Sequence, residues 1–319
     1  MSWKPTATRD SLEARARLIT RARRFFAERG ILEVETPILS AAAVSDPQLE
    51  SLSTRIKGLR QNFYLQTSPE YAMKRLLASG SGDIYQICKV FRDGERGTWH
   101  NPEFTMLEWY RVGWDHLRLI DETAELIRTA LALVGRDVVG LEIVTYRELY
   151  QRELGIDPLR DNDEILRNAL GDIRIDPQEL ERDDWLDLLM THRLQPSFAV
   201  DRMIAVHDWP ASQAALARIR AEDPPVAERF ELYLGPIELA NGYHELLDPS
   251  EQYARFERDV ATRARRGQPV PAIDTRFIAA LQHEMPACAG VALGVDRLLM
   301  AMLGSARIHD VVAFDFARA

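Results

Sequence analysis

Side chains suited to catalysis alternate along two predicted strands at residues 83–112, which are joined by a charged loop. Strand side chains alternate between the two faces of a sheet. One parity of the first strand carries Arg92, and one parity of the second carries Phe104, Glu108 and Tyr110. One face therefore presents groups that suit binding a phosphate, stacking a base and holding an ammonium. Taken alone, FRDGER is more often a solvated turn, and an alternating strand is more often simply amphipathic.

A second segment, GVALGVDRLLM at 290–300, joins a glycine-rich stretch to the start of a predicted helix. Arg297 falls in the first turn of that helix, where pairing with Asp296 or a neighbour is the simplest interpretation of the residue alone. Near the N-terminus, residues 11–29 predict an amphipathic helix with Asp10 or Ser11 as its N-cap and Gly30 as its stop. The strand-like GILEVETPIL follows, around Pro37.

Composition is that of an ordinary globular protein and argues against several classes. A chain of 319 residues buries a large core as one or two domains. The N-terminus lacks the apolar core of a signal peptide and no apolar run approaches membrane-spanning length, so we expect a cytoplasmic protein. Cys88 and Cys288 have no CxxC spacing and suggest neither a disulfide framework nor a zinc site.

The net charge of −9, from 40 basic and 49 acidic residues, weakens a nucleic-acid-binding interpretation without excluding it. Two short basic runs are typical of the solvated side of a helix. They comprise Arg21, Arg23 and Arg24, and Arg263, Arg265 and Arg266.

Hydrophobic patterning predicts an α+β fold with an antiparallel sheet flanked by helices. A helix is expected at 116–134, followed by a mostly helical, proline-broken segment at about 145–225. Strands return near 203–207 and 230–240, and helices follow at 250–266, at 274–284 and from about 295.

The order of these segments resembles motifs 1, 2 and 3 of the class II aminoacyl-tRNA synthetases, specifically the lysyl type. The closest matches are HNPEFTMLEWY at 100–110 and ELANGYHEL at 238–246. The resemblance implies a class II catalytic core, formed as a single domain over 1–319 with the helical segment at about 145–225 as an insertion. It also implies a homodimer through the motif 1 helix and strand.

Motif 1 begins near residue 10, so the sequence has no room for the N-terminal OB-fold with which lysyl-tRNA synthetases read the anticodon. A catalytic core without that domain resembles the elongation factor P–(R)-β-lysine ligases, paralogues that attach a lysine-type amino acid to a lysine side chain of elongation factor P. LQTSPEYAMKRLL at 65–77 fits this family well. The resemblance implies elongation factor P as partner, with no membrane and no tRNA.

ATP and Mg²⁺ are the cofactors that the resemblance implies. Arg92 and Arg297 would be catalytic, with Arg92 spanning the α-phosphate and the substrate carboxylate. The implied ATP-binding residues are Arg92, Asp93, Gly94, His100, Asn101, Phe104, Glu238, Leu239, Gly294 and Arg297. Glu231 and Glu238 would hold the metal, facing each other across a hairpin if its turn spans Leu234-Gly235. Without the resemblance, Glu231 and Glu238 would be interpreted as surface glutamates.

An amino-acid pocket with an acidic end is implied as well, because a buried ammonium needs carboxylate partners. Its implied residues are Ser68, Pro69, Glu70, Glu108, Tyr110, Asn241, Glu245 and Ala292. Lysyl-tRNA synthetases usually place glycine where this chain has Ala292. The added methyl beside the α-amino site would favour (R)-β-lysine, although from spacing alone the alanine simply packs.

Two motif positions depart from the family pattern, and one of them is Trp99, which precedes the loop histidine where tRNA synthetases commonly have arginine. Motif 2 usually reads FRNE, and here Gly94 stands where that glutamate would approach adenine, with Glu95 as a neighbouring substitute. Two other functions remain open, namely a stand-alone enzyme that charges tRNA and a catalytically silent regulatory subunit. If the protein were a silent subunit, the two arginines and the two metal carboxylates would be expected to have been replaced. All four residues are present.

Overall fold

A computed structural model of the chain describes residues 3–137, 140–173, 175–176 and 180–319. The helices are α1 (Arg9–Ala27), α2 (Glu70–Ala78), α3 (His116–Ala132), α4 (Tyr146–Leu154), α5 (Asp163–Ala169), α6 (Arg182–Leu189), α7 (Pro249–Arg265), α8 (Thr275–Gln282) and α9 (Val295–Leu303). The strands are β1 (Leu32–Glu33), β2 (Leu39–Ser40), β3 (Ser53–Arg55), β4 (Asn62–Leu65), β5 (Ile84–Phe91), β6 (Glu103–Val112), β7 (Leu141–Thr145), β8 (Met203–Pro210), β9 (Ile219–Arg220), β10 (Val226–Leu234), β11 (Ile237–His244) and β12 (Cys288–Gly294).

One large sheet carries the fold, with strand order β1-β5-β6-β12-β11-β10-β8-β7 and β9 added beside β10. The central strands pair antiparallel, as the sequence predicts, but β1 pairs parallel with β5 and β7 pairs parallel with β8. The predicted antiparallel sheet is therefore mixed. Both parallel pairs lie at its edges, where a long crossover separates the two strands along the chain, as parallel pairing requires.

The predicted hairpin at 83–112 is confirmed as β5 and β6. Its register places Gln86 opposite Glu108 and Cys88 opposite Met106, so these residues share one face as expected. The other face carries Trp109, which is fully buried among α1, α3 and α9. The hairpin therefore packs against the helical core with one face and presents polar side chains on the other.

The segment predicted as helical at about 145–225 is only partly so. Helices α4, α5 and α6 and the short turns that end at Ser197 lie within it, and the strand predicted near 203–207 is confirmed as β8 in the interior of the main sheet. The buried side chains of these helices pack on Val206, Ala227 and Tyr233 of the sheet. The helical part is therefore shorter than predicted and rests on the β7 end of the sheet.

The first helix begins earlier than predicted, at Arg9. Thr8 is its N-cap and accepts the backbone N–H of Ser11 at 3.2 Å, so neither Asp10 nor Ser11 caps the helix. A threonine two residues upstream offers the same hydroxyl acceptor as serine, which is why the boundary could not be fixed from the sequence. Gly30 follows the helix end in the left-handed conformation, at φ +68°.

Candidate active site

A cavity of about 410 Å³ opens on the polar face of the sheet. Every residue predicted for the amino-acid pocket lines it, namely Ser68, Pro69, Glu70, Glu108, Tyr110, Asn241, Glu245 and Ala292. Strand register explains the gathering, because Ala292 of β12 lies between Glu108 of β6 and Asn241 of β11. Ser68 and Pro69 precede α2, and the Ser68 hydroxyl accepts the backbone N–H of Glu70.

A cation of the protein itself pairs with two acids that line this cavity. Lys74 of α2 is 1% exposed, and its Nζ lies 2.6 Å from Glu70 and 2.6 Å from Glu245. Burial alone would lower the pKa of Lys74, but the two carboxylates outweigh it and raise the pKa. The sequence reasoning missed this residue and assigned Glu245 to the substrate ammonium alone. The spacing of Glu70 and Lys74, four residues apart on a helix, was the available signal.

Of the three glutamates predicted for the pocket, Glu108 lies outside these ion pairs. It accepts the hydroxyl of Tyr110 at 2.8 Å and is buried. Burial, together with the nearby charge of Glu70, raises the pKa of Glu108 to about 8. At neutral pH the empty pocket therefore holds Glu108 largely protonated, and an incoming ammonium is the kind of group that would favour its ionised form.

Close packing behind the acids depends on Gly290, which the sequence reasoning did not single out. A Cβ added there would lie 2.3 Å from a ring carbon of Tyr110 and 2.5 Å from Glu245 Oε1. Any larger residue would push both side chains out of position. Its position in the glycine-rich GVALG segment could have drawn attention to it. Only the register of β12 against β6 shows that the missing side chain leaves room for the ring of Tyr110.

A smaller cavity of about 130 Å³ adjoins the first. Of the residues predicted to bind ATP, it is lined by Arg92, His100, Asn101, Phe104, Glu238, Leu239, Gly294 and Arg297. A Cβ added to Gly294 would be 3.7 Å from Arg297, which is ordinary contact, so the protein itself leaves room at this position. The binding of a nucleotide beside Gly294 stays a prediction.

Arg297 is held toward this second cavity by two neighbours. Its guanidinium donates to the backbone carbonyl and the carboxylate of Glu238 at 3.2 Å, and it lies 2.6 Å from Nε2 of His100. Because arginine has no acceptor, His100 accepts with Nε2 and is neutral. Burial, with the charge of Arg297, lowers the pKa of His100 accordingly. Asp296, the simpler partner suggested by sequence, instead pairs with Arg15 of α1.

Arg92 connects the two cavities, since it lines both. Its guanidinium lies 5.1 Å from the Phe104 ring centre and 3.4 Å from Glu95. The Nε atom is buried and has no hydrogen-bond partner among the described residues. A buried donor without a partner is costly, so a bound oxyanion would satisfy it.

Asp93 and Gly94 line neither cavity. They form the turn after β5, where the Asp93 carboxylate accepts the N–H of Gly94 at 2.8 Å and Gly94 has φ +78°. Left-handed backbone favours glycine over glutamate, which accounts for the departure from the family motif. Glu95 instead lines the second cavity, where the sequence analysis considered it as a substitute.

The predicted metal carboxylates do not face each other as expected. The turn of the β10–β11 hairpin lies at Gly235-Pro236, and a register shift after Leu232 sets Glu231 opposite Asn241 and Glu238 opposite Tyr233. Glu231 is buried, and its carboxylate accepts hydrogen bonds from the Arg229 guanidinium, at 2.5 Å, and from the Tyr233 hydroxyl. Burial raises the pKa of Glu231, and the nearby charge of Glu238 adds to the rise.

An oxygen-rich cradle still exists between these residues. Asn241 donates its Nδ2 to Glu231 at 3.5 Å, while its Oδ1 is buried without a hydrogen-bond partner in the described part of the chain. Two carboxylates and an orphaned amide oxygen are the donor set that Mg²⁺ prefers. The residues present therefore fit the implied ion.

A loop over residues 45–50 reaches the first cavity at Leu49 and is fixed by Arg263 of α7. Arg263 is 2% exposed and donates to the backbone carbonyls of Ser45, Asp46 and Leu49 and to the carboxylate of Glu50. The expectation that the basic run at Arg263 is solvated is wrong for this residue. Its multiple backbone contacts mark it as a structural anchor of the loop.

No helix among the described residues is long and apolar enough to cross a membrane. Over residues 1–318, the chain matches the family of tRNA synthetases class II (D, K and N). Curated relatives match over the whole chain and 98% of their own length. A protein of Enterobacter sp. (strain 638) is 47% identical and one of Yersinia enterocolitica is 48% identical, and each is named elongation factor P–(R)-β-lysine ligase. The chain therefore belongs to the class II tRNA synthetase family and, within it, to the family of these ligases.

Proposed function

We propose that the protein activates (R)-β-lysine with ATP and transfers it to a lysine side chain of elongation factor P. The observation that carries this proposal is the continuity of the two cavities through Arg92, with an acidic end in one and the predicted nucleotide residues in the other. The names of the relatives supply the donor and the acceptor. The two cavities would accommodate the reacting parts of the donor and of ATP.

Activation needs the amino-acid carboxylate beside the α-phosphate. The carboxylate oxygen attacks the α-phosphorus, the bond to the bridging oxygen breaks, and pyrophosphate leaves with that oxygen. Arg92 has an unsatisfied buried Nε and a planar fork, so it would hold both reacting groups and stabilise charge that develops between them. Arg297 would hold the departing phosphates, because Glu238 and His100 already orient it toward that cavity.

Glu231, Glu238 and Asn241 would hold Mg²⁺ through their oxygen atoms. When bound, the ion would neutralise phosphate charge. Arg229 and Tyr233 fix Glu231 in place, which limits the rearrangement that binding requires.

Donor selection rests on charge. Lys74 neutralises part of the acidic end, and Glu108 remains as the carboxylate available to the terminal ammonium. Ala292 lies beside Glu108 and lines both cavities, so its methyl occupies the path between the ammonium site and Arg92. This position favours an amino group moved one carbon along the chain.

Transfer to the acceptor completes the reaction. The neutral amine of the acceptor lysine attacks the acyl carbon, the carbon–oxygen bond to AMP breaks, and a proton leaves the nitrogen as the amide forms. The rate should rise with pH, because only the unprotonated amine is nucleophilic. Such a reaction on a translation factor would take place in the cytoplasm.

The protein would act as a homodimer of single-domain subunits spanning 1–319. Two observations support this proposal. The motif 1 strand β1 is an edge strand of the main sheet, and nearby Leu32 and Ile38 are 55% and 40% exposed. An open edge with exposed apolar side chains is a surface that a second subunit would cover. The helices of residues 146–197 share the main sheet and would not form a separate domain.

Exchange of labelled pyrophosphate into ATP tests the activation step. We expect exchange that depends on (R)-β-lysine, weaker exchange with α-lysine, and none with glutamate. The control omits the amino acid. Absence of exchange with both lysine isomers would contradict the proposal and favour a catalytically silent subunit.

A further inference from the structure

A cluster of histidines and carboxylates lies on the sheet face opposite the two cavities. His116 is the first residue of α3, His207 and Asp208 lie near the end of β8, and Glu228 and His244 lie on β10 and β11. One ligand atom from each of His116, His207 and Asp208 falls within 4.8 Å of the others. The same holds for His116, Glu228 and His244.

The ring nitrogens of this cluster are poorly satisfied by the protein. His116 is 3% exposed, and neither of its nitrogens has a hydrogen bond of acceptable geometry among the described residues. Nδ1 of His207 is also buried and unpartnered there. Unpaired buried polar atoms are uncommon in folded proteins and call for an explanation such as a bound ion.

The two distances from Asp208 to the histidines of the first trio match those between neighbouring ligands of a tetrahedral metal ion. Nε2 of His116 lies 3.4 Å from Asp208 Oδ1, and Nδ1 of His207 lies 3.3 Å from the same oxygen. These are long for hydrogen bonds. Zinc binds histidine nitrogen and carboxylate oxygen at about 2.0–2.2 Å, so neighbouring ligands of a tetrahedral site are about 3.3–3.5 Å apart.

Asp208 is held in place for such a role. Its φ of +58° is left-handed backbone, which non-glycine residues adopt infrequently. Arg220 donates to Oδ2 at 2.6 Å and reaches Oδ1 at 3.3 Å, which orients the carboxylate and leaves a lone pair of Oδ1 toward the two imidazoles. Outer contacts of this kind commonly orient the ligands of metal sites.

We propose that His116 Nε2, His207 Nδ1 and Asp208 Oδ1 bind a divalent transition-metal ion, Zn²⁺ by preference, with water in the fourth position. Mixed nitrogen and oxygen donors suit zinc, whereas Mg²⁺ and Ca²⁺ prefer oxygen alone. The second trio is less suitable because His244 Nδ1 and Glu228 Oε2 already satisfy each other at 2.6 Å.

The ion joins the first turn of α3 to the end of β8, two elements far apart in the chain. The main sheet separates it from the cavities that hold Glu108 and Arg92, so its role is structural. It stabilises the packing of α3 behind the sheet. This inference does not depend on the reaction proposed above.

Metal analysis of the full-length, untagged protein tests the site. We expect about one zinc per chain after equilibration with zinc and extensive dialysis. His116→Ala and Asp208→Asn should each reduce this to background, whereas His283→Ala, which removes the exposed histidine that follows α8, should leave it unchanged. Asparagine tolerates left-handed backbone, so Asp208→Asn keeps the local fold.

Cobalt gives a second measurement that requires no variant. Protein stripped of metal and loaded with Co²⁺ should show the intense visible absorption of tetrahedral coordination, and excess Zn²⁺ should abolish it. Removing the metal should also lower the melting temperature. Absence of both stoichiometric zinc and the cobalt spectrum, or zinc retained in full by His116→Ala and Asp208→Asn, would overturn the proposal.

Discussion

Glu108→Gln removes the pocket carboxylate that lies outside the ion pairs of Lys74. Loss of one partner of a buried charge pair costs about 3–5 kcal/mol. Because the pKa of Glu108 is raised to about 8, ionising it at pH 7 already costs about 1.4 kcal/mol. The net loss of β-lysine binding should therefore be about 2–4 kcal/mol, or roughly 30- to 1,000-fold.

The assay is amino-acid-dependent pyrophosphate exchange, with KM measured separately for β-lysine and ATP. Glu108→Gln should raise the KM for β-lysine and leave that for ATP nearly unchanged. Glu103→Gln is the matched control, since Glu103 lies on the same strand with its side chain half exposed.

The pH dependence has a defined sign. Below pH 8 the empty pocket holds a protonated Glu108, and binding an ammonium must release that proton. The KM for β-lysine should therefore fall as pH rises toward 8 and then level off, and Glu108→Gln should abolish this dependence. An unchanged KM in Glu108→Gln, or an equal rise in the KM for ATP, would refute the reasoning.

Three further substitutions test the pocket. Lys74→Met leaves the carboxylates of Glu70 and Glu245 without their cation and should lower the free energy of unfolding, measured in urea, by about 3–5 kcal/mol. The loss should increase at higher pH, because more of the uncompensated carboxylate is then ionised. Lys89→Met, at an exposed site, should not lower the free energy of unfolding in this way. Gly290→Ala places a Cβ 2.3 Å from Tyr110 and should abolish β-lysine activation. Nucleotide binding, measured by fluorescence, should persist. Normal activation would contradict the conclusion that the pocket requires glycine at this position. Ala292→Gly should raise the kcat/KM for α-lysine relative to β-lysine by roughly 10-fold, as one methyl in a pocket allows; an unchanged ratio would remove Ala292 from donor selection.

Sequence reasoning succeeded where local pattern decides the structure. Alternation along residues 103–112 places Phe104, Glu108 and Tyr110 on one face, and the structure has them lining the cavities. The parallel edges of the sheet could not be predicted in this way, because pairing of β1 with β5 depends on contacts between distant segments.

Residues that the sequence reasoning missed depend on irregular or distant geometry. The hairpin turn at Gly235-Pro236, one residue later than expected, sets Glu238 opposite Tyr233, and the register shift after Leu232 then pairs Glu231 with Asn241; no residue pattern in the sequence indicates the shift. Lys74 reaches Glu245 only because α2 packs with its first turn at the cavity. Arg263 becomes an anchor only when the loop at 45–50 folds onto α7.

Intact mass of elongation factor P is the most direct test of the proposed reaction. The factor and bulk tRNA are incubated in parallel with the protein, ATP and (R)-β-lysine. The factor should gain the mass of one lysyl unit with release of AMP, and the tRNA should stay uncharged. Acid-labile charging of tRNA with no change in the mass of the factor would contradict the proposal.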